Sequence, residues 1–209
     1  MDWFIDNLYK AVITEDRWKM YLEGLLVTFQ ITLIACAIGI ILGLLVAIVK
    51  IYAVGSKNPA LRVLNWICNL YTTVIRGTPV MLQLLILYSL AVIPNGIVAC
   101  CIGFGINSGS YASEIFRSGI NSVDIGQMEA GRSLGLNRNR VMRLIILPQA
   151  IKNILPALFN ELIALLKETS SAGYSAVTDL TKMANSIKGR TFNVFPLFIA
   201  ALVYLLLTY

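Results

Sequence analysis

Residues 129–148 read EAGRSLGLNRNRVMRLIILP. Four arginines (Arg132, Arg138, Arg140 and Arg143) are set around Gly135 and Asn137, just before an apolar run carrying Pro148. Basic residues beside an apolar span mark the cytoplasmic side of a membrane. The pattern suits an ordinary solvated loop between two spans, over about 122–138, or within it a short cytoplasmic helix over 123–136. Ser122 or Asp124 caps its start and Gly135 ends it. Ala130, Gly131 and Ser133 leave part of its surface with little bulk, so another surface can approach closely. Asn137 caps the next helix, which returns to lipid through the arginines.

The rest of the chain supplies the lipid-facing material. Of 209 residues, 57% are hydrophobic and 13% charged, with mean hydropathy +0.75. One small core cannot bury that much apolar surface, so the chain reads as a polytopic membrane protein. The formal charge of +6 comes without a basic block interleaved with aromatics, so nucleic acid is not an expected partner. No histidine is present, which removes most zinc chemistry and His-based triads. Cys36, Cys68, Cys100 and Cys101 sit in apolar runs and read as small buried hydrophobes rather than metal ligands. No Gly-rich phosphate loop with Lys-Ser/Thr occurs, so ATP chemistry is not expected on this chain.

Five apolar spans are expected, at roughly 22–51, 61–93, 97–120, 141–166 and from 192 to the end. Asp2, Asp6, Glu15 and Asp16 precede the first; a cleavable signal peptide wants a basic n-region instead, so none is expected. Trp3 and Trp18 suit an interfacial lead-in. Lys50, Lys57 and Arg62 make the first loop cytoplasmic, which places the N-terminus outside and the C-terminus inside. Residues 167–190 read as a polar connection. The last span is short and lacks a basic flank, as in a chain cut short. The fold class is all-α, one membrane domain over residues 1–209.

The spacing in the opening stretch resembles the EAA motif of ABC importer permeases: Glu-Ala-Ala, three residues, Gly, nine residues, Ile, one residue, Leu-Pro. Here it reads Glu129, Ala130, Gly131, then Gly135, then Ile145, Leu147 and Pro148, with Gly131 as the one departure. RGTPVMLQLLILY (76–88), YASEIFRSGINSV (111–123) and LPQAIKNILPALFNELIALLKETS (147–170) are similar to the polar amino acid subfamily. The resemblance covers about residues 20–209. It implies a type I importer permease with a cytoplasmic coupling helix on which Gln127, Glu129, Ala130, Gly131, Leu134 and Gly135 meet an ATPase. It further implies a homodimer or a heterodimer with a similar permease, two cytoplasmic ATPase subunits holding ATP and Mg, and an extracytoplasmic amino-acid-binding protein. The implied location is a bacterial inner membrane. The chain itself is then no enzyme and holds no cofactor or metal.

Candidate cargo contacts follow from polar residues set in apolar spans. RGTP interrupts the second span; Thr78 suits an N-cap and Pro79 the first helical turn. Helix N-termini carry partial positive charge, which suits a substrate carboxylate near Gly77 and Thr78. The competing reading is a simple Pro kink with Arg76 paired to Glu114. Glu161 lies in the fourth span, where an ionisable group is costly and faces a cavity or a partner. It reads as a contact to a cationic cargo group, as half of a structural ion pair, or as an interfacial residue. The first reading favours arginine, lysine or histidine as cargo. Asn160 points about 100° away from it. Glu114 and Arg117 suit an i,i+3 structural or gating pair, and Pro148 a structural or gating bend. Gly39 and Gly43 have GxxxG spacing for close helix packing. The rival class is an autonomous ion-coupled carrier or channel, which a broken span and a buried carboxylate also suit.

Overall fold

The computed structural model describes residues 2–89, 93 and 95–209, without the side chain of Asp2. Helix dominates, and no strand occurs among the described residues. The helices are α1 (Asp2–Val12), α2 (Arg17–Ala53), α3 (Pro59–Arg76), α4 (Val80–Ser89), α5 (Gly96–Asn121), α6 (Ile125–Ser133), α7 (Arg138–Val141), α8 (Leu147–Glu168), α9 (Leu180–Thr191) and α10 (Phe195–Thr208). The expected end of the second span, at 90–93, lies largely outside the described residues.

Two segments are long and apolar enough to cross a membrane, Thr14–Ala53 and Arg138–Ser175, and the broken pair α3–α4 makes a third. The other two expected spans correspond to α5 and α10. α5 has the length, but Asn107, Ser108, Ser110 and Ser113 lower its hydropathy. α10 is uniformly apolar, but its 14 residues give only about 21 Å of helix. α2, at 37 residues or about 55 Å, runs past both ends of the expected 22–51 span.

The chain forms two compact units, and the long helices α2, α5 and α8 contribute to both. The first comprises Met1–Ala35, Pro79–Gly105 and Ile163–Tyr209. Its core joins Tyr21 of α2, Leu180, Ala184 and Ile187 of α9, and Ala200 of α10. α9 corrects the reading of 167–190 as a plain polar connection. Thr169–Ser175 form 3-10 turns, and the Asp179 carboxylate then caps α9, accepting from the Thr181 and Lys182 amides at 3.0 and 3.1 Å. Leu180, Ala184 and Ile187 recur at helical spacing and are fully buried. α1 is an amphipathic helix whose Trp3 and Phe4 meet Phe195 edge-on, with ring centroids 5.9 and 5.0 Å apart.

The second unit comprises Cys36–Thr78 and Ile106–Leu162. Its core joins Ala47 of α2, Ala112 and Phe116 of α5, and Ala150 and Ile154 of α8. The GxxxG spacing is used here. A Cβ on Gly39 falls 2.9 Å from Ser108 Oγ, and one on Gly43 falls 2.6 Å from Ala112 Cβ and 2.9 Å from the Ser113 amide nitrogen. α2 therefore meets α5 through small residues on both helices, a packing that membranes favour where apolar burial gives no drive. Two buried hydroxyls of α5 are satisfied locally: Ser110 donates to the Asn107 carbonyl at 2.7 Å and Ser113 to the Ser110 carbonyl at 2.8 Å.

Candidate functional site

The 129–148 stretch folds as expected, with sharper boundaries. α6 spans Ile125–Ser133; Asp124, not Ser122, caps it by accepting from the Gly126 amide at 2.7 Å. The Ser122 hydroxyl instead donates to the Gly119 carbonyl and accepts from Asn153. At the other end Gly135 has φ +83°, its amide donates to the Arg132 carbonyl, and the Leu136 amide donates to the Gly131 carbonyl. That is a Schellman ending, which relies on a residue free to turn left-handed. Asn137 accepts from the Arg140 amide at 2.9 Å and starts α7. Residues Met142–Ile146 form a π turn just before Pro148, so the missing amide of the proline falls where the hydrogen-bond register already changes.

Gly131 is a point of close approach, as expected of a small residue, and the surface that approaches is in the same chain. A Cβ there falls 2.7 and 2.9 Å from the two Val141 methyls, so its small size lets the chain's own next helix approach. α6 presents other residues outward. Ile125 is 75% exposed and Leu134 83%. Two large apolar side chains thus stand in the open at the two ends of a short polar helix. Leu134 is among the docking candidates that the resemblance implies; Ile125 is not, because a single Ile after an N-cap carries no signal without the helix orientation.

The same unit holds the cargo candidates. Arg76 ends α3, and its guanidinium lies over the Tyr111 ring at 5.1 Å from the centroid. The expected alternative, Arg76 paired with Glu114, is not what forms. Gly77 caps α3, its amide donating to the Thr73 carbonyl at 2.9 Å. The Thr78 hydroxyl donates to the Val74 carbonyl at 2.9 Å. α4 begins at Val80, one residue later than expected, with the Pro79 carbonyl accepting from Leu82 and Gln83.

Glu161 is half-buried on α8 and accepts a hydrogen bond from Ser108 Oγ at 2.9 Å. It has no ion-pair partner among the described residues. Asn160 is exposed on the adjacent face. Ser108 and Tyr111, which meet Glu161 and Arg76, are three apart on α5. Residues at that spacing are neighbours about 5–6 Å apart on one helix face. α5 thus brings an unpaired carboxylate and an exposed guanidinium to one face. Sequence reading named both charged groups but neither α5 contact, since a Ser and a Tyr in a helix mark nothing by themselves.

Glu114 binds two cations. Lys50 Nζ lies 2.9 Å from its Oε1, and Arg117 lies 2.7 Å from its Oε2. Lys50 is buried and also donates to the Thr72 hydroxyl at 2.9 Å. Arg117 was expected, and Lys50 adds the link from α2 to α5. Removing one partner of a buried pair costs about 3–5 kcal/mol by stranding the other charge. Glu114→Gln leaves Lys50 buried without a carboxylate, whereas Lys50→Met leaves Glu114 still paired to Arg117. Glu114→Gln is therefore expected to lower the melting temperature of the purified protein more than Lys50→Met does. The reverse order contradicts the assignment.

No groups of three His, Cys, Asp or Glu that could hold a metal ion occur among the described residues. With these features in place, the comparisons define the class. Residues 39–209 match the family described as binding-protein-dependent transport system inner membrane component. The chain is 42% identical to the putative glutamine transport system permease protein GlnP of Rickettsia felis, over 88% of this chain and 84% of that one. It is 39% identical to the arginine transport system permease protein ArtQ of Bacillus subtilis, over 89% and 84%. A solved structure described as an amino acid ABC transporter with histidines matches with TM-score 0.82 at 38% identity, covering 91% of this chain and 88% of that one. The inward-facing MetNI methionine ABC transporter shares the fold, with TM-score 0.80 at 16% identity over 94% and 93%. The chain belongs to the binding-protein-dependent inner membrane permeases, within the polar amino acid branch of ABC importers. It is a transport permease of the inner membrane, built on the type I importer fold.

Proposed function

We propose that this chain lines the path of an ATP-driven importer for polar amino acids and that its cargo carries a cationic side chain. The observation that carries this reading is the pairing on α5. Arg76, held against Tyr111, suits the cargo carboxylate, and Glu161, held by Ser108, suits a cationic group. An ionised carboxylate in an apolar span is costly unless it is compensated, and a cationic cargo compensates it. Gly77 and Thr78 border Arg76 at the helix break, and Asn160 borders Glu161; we assign them to the rim of the same site. The relatives' descriptions name glutamine, arginine, cystine and histidines, all polar amino acids.

The permease works as a dimer with itself or a similar chain, with two ATPase subunits below and a binding protein above. The N-terminus faces outside and the C-terminus the cytoplasm. α6 docks on an ATPase that holds ATP and Mg, through Ile125, Gln127, Glu129, Ala130 and Leu134, while Gly131 and Gly135 shape the helix. Nucleotide-driven closure of the ATPases moves α6 and switches the path between inward-facing and outward-facing states. Truncating a buried interface anchor costs about 2 kcal/mol or more. Leu134→Ala is therefore expected to weaken co-purification with the ATPase at least tenfold while leaving the permease folded. Undiminished capture of the ATPase by a Leu134→Ala, Ile125→Ala double variant contradicts the docking assignment.

A further inference from the structure

One cleft of the second unit is lined by neither Arg76 nor Glu161. α2, α5 and the start of α7 frame a cleft of about 390 Å³ in the second unit. Leu44, Ile48, Met142 and Leu147 form its apolar walls. Tyr52, Arg138 and Asn139 form its polar end. Tyr52 lies eight residues beyond Leu44 on α2, so the apolar-to-polar change spans about 12 Å along the helix. The polar end sits where α2 finishes and where the basic segment 138–143 begins.

The side chains of Tyr52, Arg138 and Asn139 make no hydrogen bond or ion pair among the described residues. Arg138 is exposed, and Arg140 and Arg143 add to the same positive segment. An apolar trough ending in an unpaired guanidinium, a phenol and an amide matches one kind of molecule, an acyl chain that carries a negatively charged head. Lys and Arg at the membrane surface recognise anionic lipids through this charge pairing.

We propose that this cleft binds one anionic phospholipid of the cytoplasmic leaflet, with its phosphate on Arg138 and an acyl chain between α2 and Met142. The placement in that leaflet rests on the reading of α6 as the cytoplasmic docking helix. The lipid then contacts the first turn of the segment that follows α6, and its occupancy bears on how firmly that segment is held.

The test is native mass spectrometry of the delipidated full chain, titrated with phosphatidylglycerol or phosphatidylcholine. Arg138→Gln and Met142→Trp are compared with the parent, and each is also assayed for capture of the co-expressed ATPase. The parent is expected to retain phosphatidylglycerol about fivefold better than phosphatidylcholine, the gain of about one basic contact. Arg138→Gln, an exposed change that leaves the core alone, should erase the preference; Met142→Trp should lower retention of both lipids by filling the trough. Equal retention of both lipids by the parent, or no change in either variant, overturns the site. Displacement of the lipid by millimolar inorganic phosphate overturns the acyl-chain assignment, and displacement by the bound ATPase makes that protein the occupant. Capture of the ATPase by the parent separately tests the docking role of α6: variant-sensitive lipid retention without capture leaves the site standing and overturns that role.

Discussion

Glu161→Gln is expected to cut ATP-driven uptake of a basic amino acid by roughly ten- to a hundredfold, the worth of a hydrogen bond to a charged group. The substitution is nearly isosteric, and its amide oxygen still accepts from Ser108, which holds the parent carboxylate at 2.9 Å. Folding and ATPase capture should therefore be unchanged, and the loss should fall on cargo affinity. Uptake of glutamine by the same variant should hold up better, because a neutral side chain draws less on the negative charge. Retained high-affinity arginine uptake in Glu161→Gln would falsify the cargo role of this carboxylate. A variant that fails to assemble instead assigns Glu161 to structure.

The other large effect is expected at the α2–α5 contact. Gly43→Val puts a branched side chain where even a Cβ lies 2.6 Å from Ala112 Cβ and 2.9 Å from the Ser113 nitrogen. Part of that obstacle is backbone, so no rotamer change relieves it. Overpacking costs about 1–3 kcal/mol, occasionally more, and a backbone obstacle places this case at the upper end. A clear fall in detergent melting temperature and in folded yield is expected. Gly189→Ala is the control: nothing lies within 4 Å of its Cβ, and Ala in a helix is better than Gly by about 0.5–1 kcal/mol. Equal behaviour of the two variants contradicts the packing described.

Legibility in the sequence differed sharply between local and distant features. Asp124, Gly135 and Asn137 were readable because capping chemistry depends only on neighbours in the chain. The break at 77–79 was readable because Gly77 and Pro79 interrupt a helix, although α4 starts at Val80 and the Thr78 hydroxyl donates back to the Val74 carbonyl. α9 was missed although Asp179 and the Leu180, Ala184, Ile187 spacing were visible, because its polar composition outweighed a stripe of three residues. Lys50 was assigned only to loop polarity, since its partner Glu114 lies 64 positions away. The same limit hid Ser108 and Tyr111: the charged groups stand out from their apolar context, while the residues that aim them belong to another helix. Gly131 was legible in part: its small size marked a close approach, but not that the approaching surface is Val141 of the same chain.

The most direct measurement is radiolabelled uptake into proteoliposomes that hold this chain with its ATPase and binding protein. Arginine, histidine, glutamine and cystine are compared with and without ATP, and with an imposed ion gradient. Accumulation that requires ATP, ignores the gradient and favours arginine or histidine is the expected result. Accumulation that follows the gradient and ignores ATP contradicts it, and makes the chain a carrier in its own right.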